Sequence, residues 1–251
     1  MLHVPVLLEE SIDFLLNDLS GIYLDLTFGR GSHSQAILNK LSPTGSLHAV
    51  DRDLEAVSYG KDHITDSRFK ISHANYSEID VLFADQQFDG ILLDLGTCST
   101  HLDNPERGFS YRQDGLLKMT MGKNNITAHD IINKLEQKDL RNIFSLFGED
   151  KDSGLIAKLI VQKREDKEIS STQELAEIIL RAKRYKNSKY NKVDSCAKIF
   201  QAIRMVVNQE LTELYEGLIS AIKNLSIDGK IVVITFHSLE DKIVKKVFDF
   251  F

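Results

Sequence analysis

The sequence predicts an α/β fold in which strands and helices alternate around a parallel sheet, with an all-helical segment inserted before the last strand. Three observations predict it. The apolar run Tyr23-Leu24-Asp25-Leu26-Thr27-Phe28 stops at the glycine-rich turn Gly29-Arg30-Gly31 and passes directly into a helical pattern at Ser32-His33-Ser34. Short apolar runs and helical spacings then alternate as far as Leu95, whereas from Ala128 to about Lys183 only helical spacing appears. A repeated β-α order implies right-handed crossovers and a ligand crevice at the carboxyl ends of the strands, the Rossmann-like arrangement.

Val4 to Leu16 carries apolar residues at helical spacing and is expected as a helix ahead of the first strand. Gly21 to Thr27 is the first strand and Ser34 to Leu41 its helix, stopped by Ser42-Pro43-Thr44-Gly45. Leu47 to Val50 is the second strand, Leu54 to Lys61 its helix, Phe69 to His73 the third strand, and a helix lies around Ile79 to Ala84. Gly90 to Leu95 is nearly all apolar, as a central parallel strand buried on both faces should be. Gly96 to Ser110 reads as loop. A long helix is expected from Phe200 to Leu225; the Asp228-Gly229 turn then leads into a fifth strand, Lys230 to Phe236, and a last helix begins near Ser238. The predicted division is 1–104 for the first part of the sheet domain, 105–198 for the helical insertion and 199–251 for the second part.

Gly29 and Gly31 permit positive φ and close backbone approach, and the helix that follows offers unpaired N–H groups to polar or anionic atoms. Asp51 closes the second strand about twenty residues downstream, the offset at which an acid takes ribose hydroxyls in doubly wound folds. Turn and acid together point to a nucleoside-containing cofactor. Asp51, Tyr76 and Asp94 all fall at or just past predicted strand ends.

Composition excludes other classes. Charged residues at 27% and hydrophobic ones at 42% are ordinary for a soluble globular protein. No apolar run approaches the roughly 18 residues of a membrane span, and the amino terminus lacks the pattern of a secretory signal, so a cytoplasmic protein without a membrane partner is expected. Cys98 and Cys196 are isolated in the sequence and suggest neither a disulfide nor a metal site. The formal net charge of −6 argues against wholesale coating of a polyanion, but Arg181, Lys183, Arg184, Lys186, Lys189, Lys192 and Lys198 share one segment with a single acid, Asp194, and with Tyr185 and Tyr190. Such a stretch is either a solvated face or a nucleic-acid surface.

Six motifs in order resemble one family: Asp25 to Ser34, Asp51 to Asp53, Ile91 to Gly96, Glu106-Arg107-Gly108-Phe109-Ser110, Phe200-Gln201-Ala202-Ile203-Arg204, and Phe236-His237-Ser238-Leu239-Glu240-Asp241. Together they resemble the bacterial 16S ribosomal RNA cytosine-N4 methyltransferases (RsmH, also called MraW) over essentially the whole chain. The resemblance implies an S-adenosylmethionine-dependent enzyme with a Rossmann-like sheet and an inserted helical domain, acting on one cytidine in the decoding region of the small-subunit RNA. It implies cofactor contacts at Gly31, Ser32, His33, Asp51, Tyr76, Asp94 and His101. Asp94 is the candidate acceptor for the hydrogens of the target amine, with His237 and Ser238 as further catalytic candidates holding the base or its phosphate. In that setting Arg184, Tyr185, Lys186, Lys189, Tyr190 and Lys198 are the candidate RNA contacts.

The chain departs from the family pattern at Ser32, where a glycine is usual, at Thr97 to His101, at Leu117 to Met121 and at Asp194 to Ile199. The family also continues past the last helix into two more strands; against that pattern this sequence is expected to be either truncated, covered at that sheet edge by a partner or second copy, or a reduced relative. The fifth strand is therefore expected as an exposed sheet edge, and a second copy in a homodimer is one way to cover it. Two rival readings stay open: a degenerate homologue that binds ribosomal RNA in subunit assembly without transferring methyl groups, and, more distantly, a nicotinamide-dependent oxidoreductase.

Overall fold

The computed structural model describes residues 5–122, 126–185 and 192–251. The chain forms two compact units, one from Met1–Cys98 with Leu211–Phe251 and one from Ser99–Glu210.

In the first unit α1 (Leu8–Leu15) precedes β1 (Ile22–Asp25), α2 (Ser32–Lys40), β2 (Ser46–Asp51), α3 (Leu54–His63), β3 (Phe69–His73), the single turn α4 (Ile79–Leu82) and β4 (Phe88–Asp94). The five strands found among the described residues pair in parallel in the order β3-β2-β1-β4-β5, with β5 at Leu225–Ile234. Strand order reverses between β1 and β4, so the crevice of this sheet lies at their carboxyl ends.

Alternation along the strands sorts side chains onto two faces. Leu24 in β1 with Ile91 and Leu93 in β4 join Leu214 and Leu218 on one face. Tyr23 and Leu92 join Ile12, Leu15, Ile37 and Leu38 of α1 and α2 on the other. Both layers being apolar explains why the central strands read as continuous hydrophobic runs.

The helical unit comprises α5 (Ser99–Asp103), α6 (Ala128–Lys134), α7 (Gln137–Leu146), α8 (Ser153–Asp166), α9 (Thr172–Tyr185) and α10 (Lys192–Val207). Its core includes Ile131, Leu140, Phe144, Ile156, Ile160, Ile179 and Phe200. The chain returns through α11 (Glu210–Lys223) to β5 and ends with α12 (Ser238–Phe248). No helix among the described residues is long and apolar enough to cross a membrane.

Several boundaries differ from expectation. The helix expected from Phe200 to Leu225 is two helices, because Asn208 is buried and its side chain is committed elsewhere: Nδ2 donates to the Met119 and Arg204 carbonyls, and Oδ1 accepts from Met121 N–H. Gln209 beside it is left-handed, with φ 51°. Helix α10 joins the insertion rather than leading back to the sheet, since Ile199, Ala202, Ile203 and Val207 enter the helical core. The second unit is accordingly wider than 105–198 at both ends. The expected loop Gly96 to Ser110 contains α5. Strand β5 begins before the Asp228-Gly229 turn, which is absorbed as a bulge: Phe88 pairs with Leu225, while Gly90 already faces Lys230. Asp89 fills the gap, its Oδ1 accepting from Ser226 Oγ and its Oδ2 from Ile22 N–H.

Candidate active site

The parallel register brings three carboxylates to the ends of three adjacent strands: Asp51 on β2, Asp25 on β1 and Asp94 on β4. Each does something different.

Asp25 is 1% exposed. Its Oδ2 accepts from Ser34 Oγ at 2.6 Å and its Oδ1 from Thr27 N–H at 3.1 Å, so it ties the start of α2 to the turn that precedes it. Burial pushes this carboxyl up to about 6; the bonds from Ser34 and Thr27 oppose the shift and the Asp51 charge adds to it. Sequence reasoning did not single Asp25 out. The available signal was an acid inside an otherwise apolar strand.

Asp51 supports the turn from the neighbouring strand. Its Oδ2 accepts from Gly29 N–H and its Oδ1 from Asp53 N–H, both at 2.8 Å. These bonds from two separate turns fix the orientation of the carboxylate. Asp53 in turn caps α3 by accepting from Glu55 N–H.

The turn itself is compact. Gly29 and Gly31 have φ of 53° and 75°, and a Cβ on Gly31 would lie 2.7 Å from the Phe28 ring. The Gln35 N–H makes a helical bond to the Gly31 carbonyl, which leaves the amides of the first turn of α2, at Ser32 and His33, outside the helical ladder.

His33 is buried and brings its Nδ1 to 3.6 Å from Asp94 Oδ2, too long for a hydrogen bond but close enough for strong electrostatic coupling. Burial lowers the His33 pKa below the usual imidazole value, against the opposing pull of the Asp94 charge and the Val6 carbonyl. Its Nε2 is buried and has no hydrogen-bond partner among the described residues. Asp94 is held through its own backbone, whose N–H donates to Thr27 Oγ1 at 2.6 Å.

Tyr76 opens a short 3-10 turn after β3, and its ring packs so closely on Gly217 of α11 that a Cβ there would lie 2.4 Å from it. Glycine at 217 is thus what admits the tyrosine. His237 is the N-cap of α12, its Nδ1 accepting from Glu240 N–H at 3.4 Å; Glu240 is buried and its Oε2 accepts from Phe236 N–H. Ser238 is the first residue of α12. The end of β5 runs beside the loop after β4, for a Cβ on Gly96 would lie 3.5 Å from the Phe236 ring.

His101 belongs to the helical unit. It is buried and stacked on Phe109 at 4.9 Å between ring centroids. In the basic segment, Lys183 is not part of a solvated face: its Nζ donates to both oxygens of Asp150 at 2.6 and 2.7 Å and to Asp152 at 2.9 Å, inside the helical unit. Arg184 and Lys198 are exposed. Tyr185 closes α9, and its side chain, with Lys186, Lys189 and Tyr190, lies outside the described residues.

A parallel sheet in this order, with a glycine turn at the switch point and acids closing the flanking strands, is the Rossmann-like methyltransferase fold. The sequence agrees with it. The chain belongs to the MraW methylase family, whose model matches residues 1–250. A ribosomal RNA small subunit methyltransferase H of Legionella pneumophila (strain Paris) is 48% identical over 252 residues, covering 97% of this chain and 80% of that protein. Those of Caldicellulosiruptor saccharolyticus and Fusobacterium nucleatum are 44% and 40% identical, over 99% and 98% of this chain and 81% and 79% of theirs.

Proposed function

We propose that this chain is an S-adenosylmethionine-dependent methyltransferase that modifies the exocyclic N4 of one cytidine in the decoding region of 16S ribosomal RNA, working in the cytoplasm on the small ribosomal subunit or its precursor. The observation that carries the reading is the convergence of the glycine turn, Asp51 and the His33–Asp94 pair at adjacent strand ends of one unit. The residues present suit the cofactor: free amides at the start of α2 for a carboxylate, a fixed Asp51 carboxylate for a ribose diol, and a buried Nε2 on His33 still able to bond.

When bound, S-adenosylmethionine would supply a sulfonium methyl for the amine nitrogen, an S–CH₃ bond being exchanged for an N–CH₃ bond with release of one amine proton to solvent. The protein's part is positioning. Gly31, Ser32 and His33 would hold the cofactor through the turn, with Asp51 for its ribose, Tyr76 for its adenine and Asp94 near its reacting end. Asp94 accepts a hydrogen bond from the target amine, which frees the nitrogen lone pair from the ring. His237 and Ser238 hold the base or its phosphate. The helical unit recognises RNA through Arg184, Tyr185, Lys186, Lys189, Tyr190 and Lys198.

The test is incubation with radiolabelled S-adenosylmethionine and undermethylated small subunits, mapping label by nuclease digestion and mass spectrometry. Label on a cytidine N4 that is lost in Asp94→Ala is the expected result. Binding of both cofactor and RNA without label would leave an assembly role instead.

A further inference from the structure

We propose that Arg30, Tyr59 and His63 form a second RNA contact, a phosphate-binding site beside the glycine turn that grips the substrate strand. It rests on the ribosomal RNA reading above and adds a place where the strand is held.

The Arg30 guanidinium lies over the Tyr59 ring, with Cζ 4.5 Å from the centroid. The His63 imidazole stacks on the same ring at 3.9 Å and 16°. Both groups pack against the one ring, so Tyr59 anchors the guanidinium and the imidazole together. The Tyr59 carbonyl, 2.9 Å from His63 Nδ1, can only accept, so Nδ1 carries the hydrogen and the ring is locked in plane. A long, flexible side chain on an exposed turn is thereby pre-organised.

Nothing among the described residues takes up the Arg30 donors. Arg68 spends its guanidinium on Asp66 and the Leu38 and Leu41 carbonyls, and Arg204 spends its own on Glu210. Among the described residues Arg30 has no carboxylate or carbonyl partner, so its forked N–H donors face solvent. That is the donor geometry that matches a phosphate.

The same residues line a groove of about 450 Å³ with Gln35 and Asn39. Gln35 Nε2 donates to Asn39 Oδ1 at 3.1 Å, which leaves Asn39 Nδ2 as donor and Gln35 Oε1 as acceptor for ribose hydroxyls or a base edge. One acid, Glu9, also lines the groove, and Lys40 stands 3.9 Å from it. Because Arg30 sits between Gly29 and Gly31, a polyanion bound there is held beside the proposed cofactor turn. The polyanion that a ribosomal RNA methyltransferase brings to that place is its substrate strand.

The test is fluorescence anisotropy with a labelled single-stranded RNA oligonucleotide spanning the target cytidine, repeated across salt concentrations, with thermal melting to confirm folding. One phosphate contact on a single strand contributes about 0.7 to the slope of log affinity against log salt. Arg30→Gln is expected to weaken binding and lower that slope by about 0.7, while Arg30→Lys keeps the slope and Tyr59→Leu weakens binding with less change in it. A folded Arg30→Gln protein with unchanged affinity and slope, alongside a wild type that binds and methylates RNA, overturns this site alone. A wild type that neither binds nor methylates RNA overturns the site together with the reading beneath it.

Discussion

The Asp94 backbone N–H donates to the Thr27 hydroxyl oxygen at 2.6 Å, so the loop after β4 hangs from the turn after β1. Thr27→Val keeps the side-chain shape but removes the acceptor, leaving a part-buried N–H without its bond. A loss of about 1–3 kcal/mol of stability is expected. Displacing Asp94 should lower the methyl-transfer rate about tenfold or more, with a smaller loss of cofactor affinity. Single-turnover rates and calorimetric titration separate the two, and equal losses in both would refute a positioning role for Thr27.

His33 and Asp94 should report on each other. Burial already lowers the His33 pKa, and the Asp94 charge is what opposes it most. Asp94→Asn removes that charge, so the imidazole should titrate lower still. NMR titration of the ring nitrogens would show it; an unmoved or raised midpoint would mean that the two are not coupled.

Asp25 makes stability depend on pH with a definite sign. Its carboxyl is held up to about 6 by burial, against an ordinary value of 3.8, so between those values the folded state binds more protons than the unfolded one. Its contribution therefore destabilises as pH rises from 4 to 6, and the cost, on the order of 2–3 kcal/mol, is full above pH 6. In Asp25→Asn the amide can donate to Ser34 while its oxygen still accepts from Thr27. That variant should be flatter than wild type over this range and more stable at pH 7.5 in urea titrations. Superimposable pH profiles would count against it.

Lys183 tests the helical unit by itself. Lys183→Met strands the Asp150 and Asp152 carboxylates in the interior, at an expected cost of about 3–5 kcal/mol. Adding Asp150→Asn should recover part of the loss in a thermal melt. An unchanged melting temperature in the single variant would show that the cluster is solvated.

Much of the fold was legible because its signals are local. A glycine turn between an apolar run and a helical pattern, and β4 apolar on both faces, needed only neighbouring residues to be read, and the structure has both where expected. Element ends were less legible where distant partners set them. Whether Phe200 to Leu225 is one helix depends on Asn208 finding Met119 and Met121 far back in the chain, and the extent of β5 depends on Asp89 bridging the bulge. Lys183 looked like a surface cation because nothing near it in sequence discloses Asp150.

By itself, then, the sequence determined the parallel sheet, the helical insertion, the turn and the acids that close the strands, since periodicity and glycine chemistry act within a few residues. Only the tertiary structure decided what each acid does. Asp25, Asp51 and Asp94 are the same side chain at equivalent strand ends, yet one is buried under the turn, one holds the turn's amide and one faces His33. Burial and partners belong to the packed molecule, and they give three identical side chains three different surroundings.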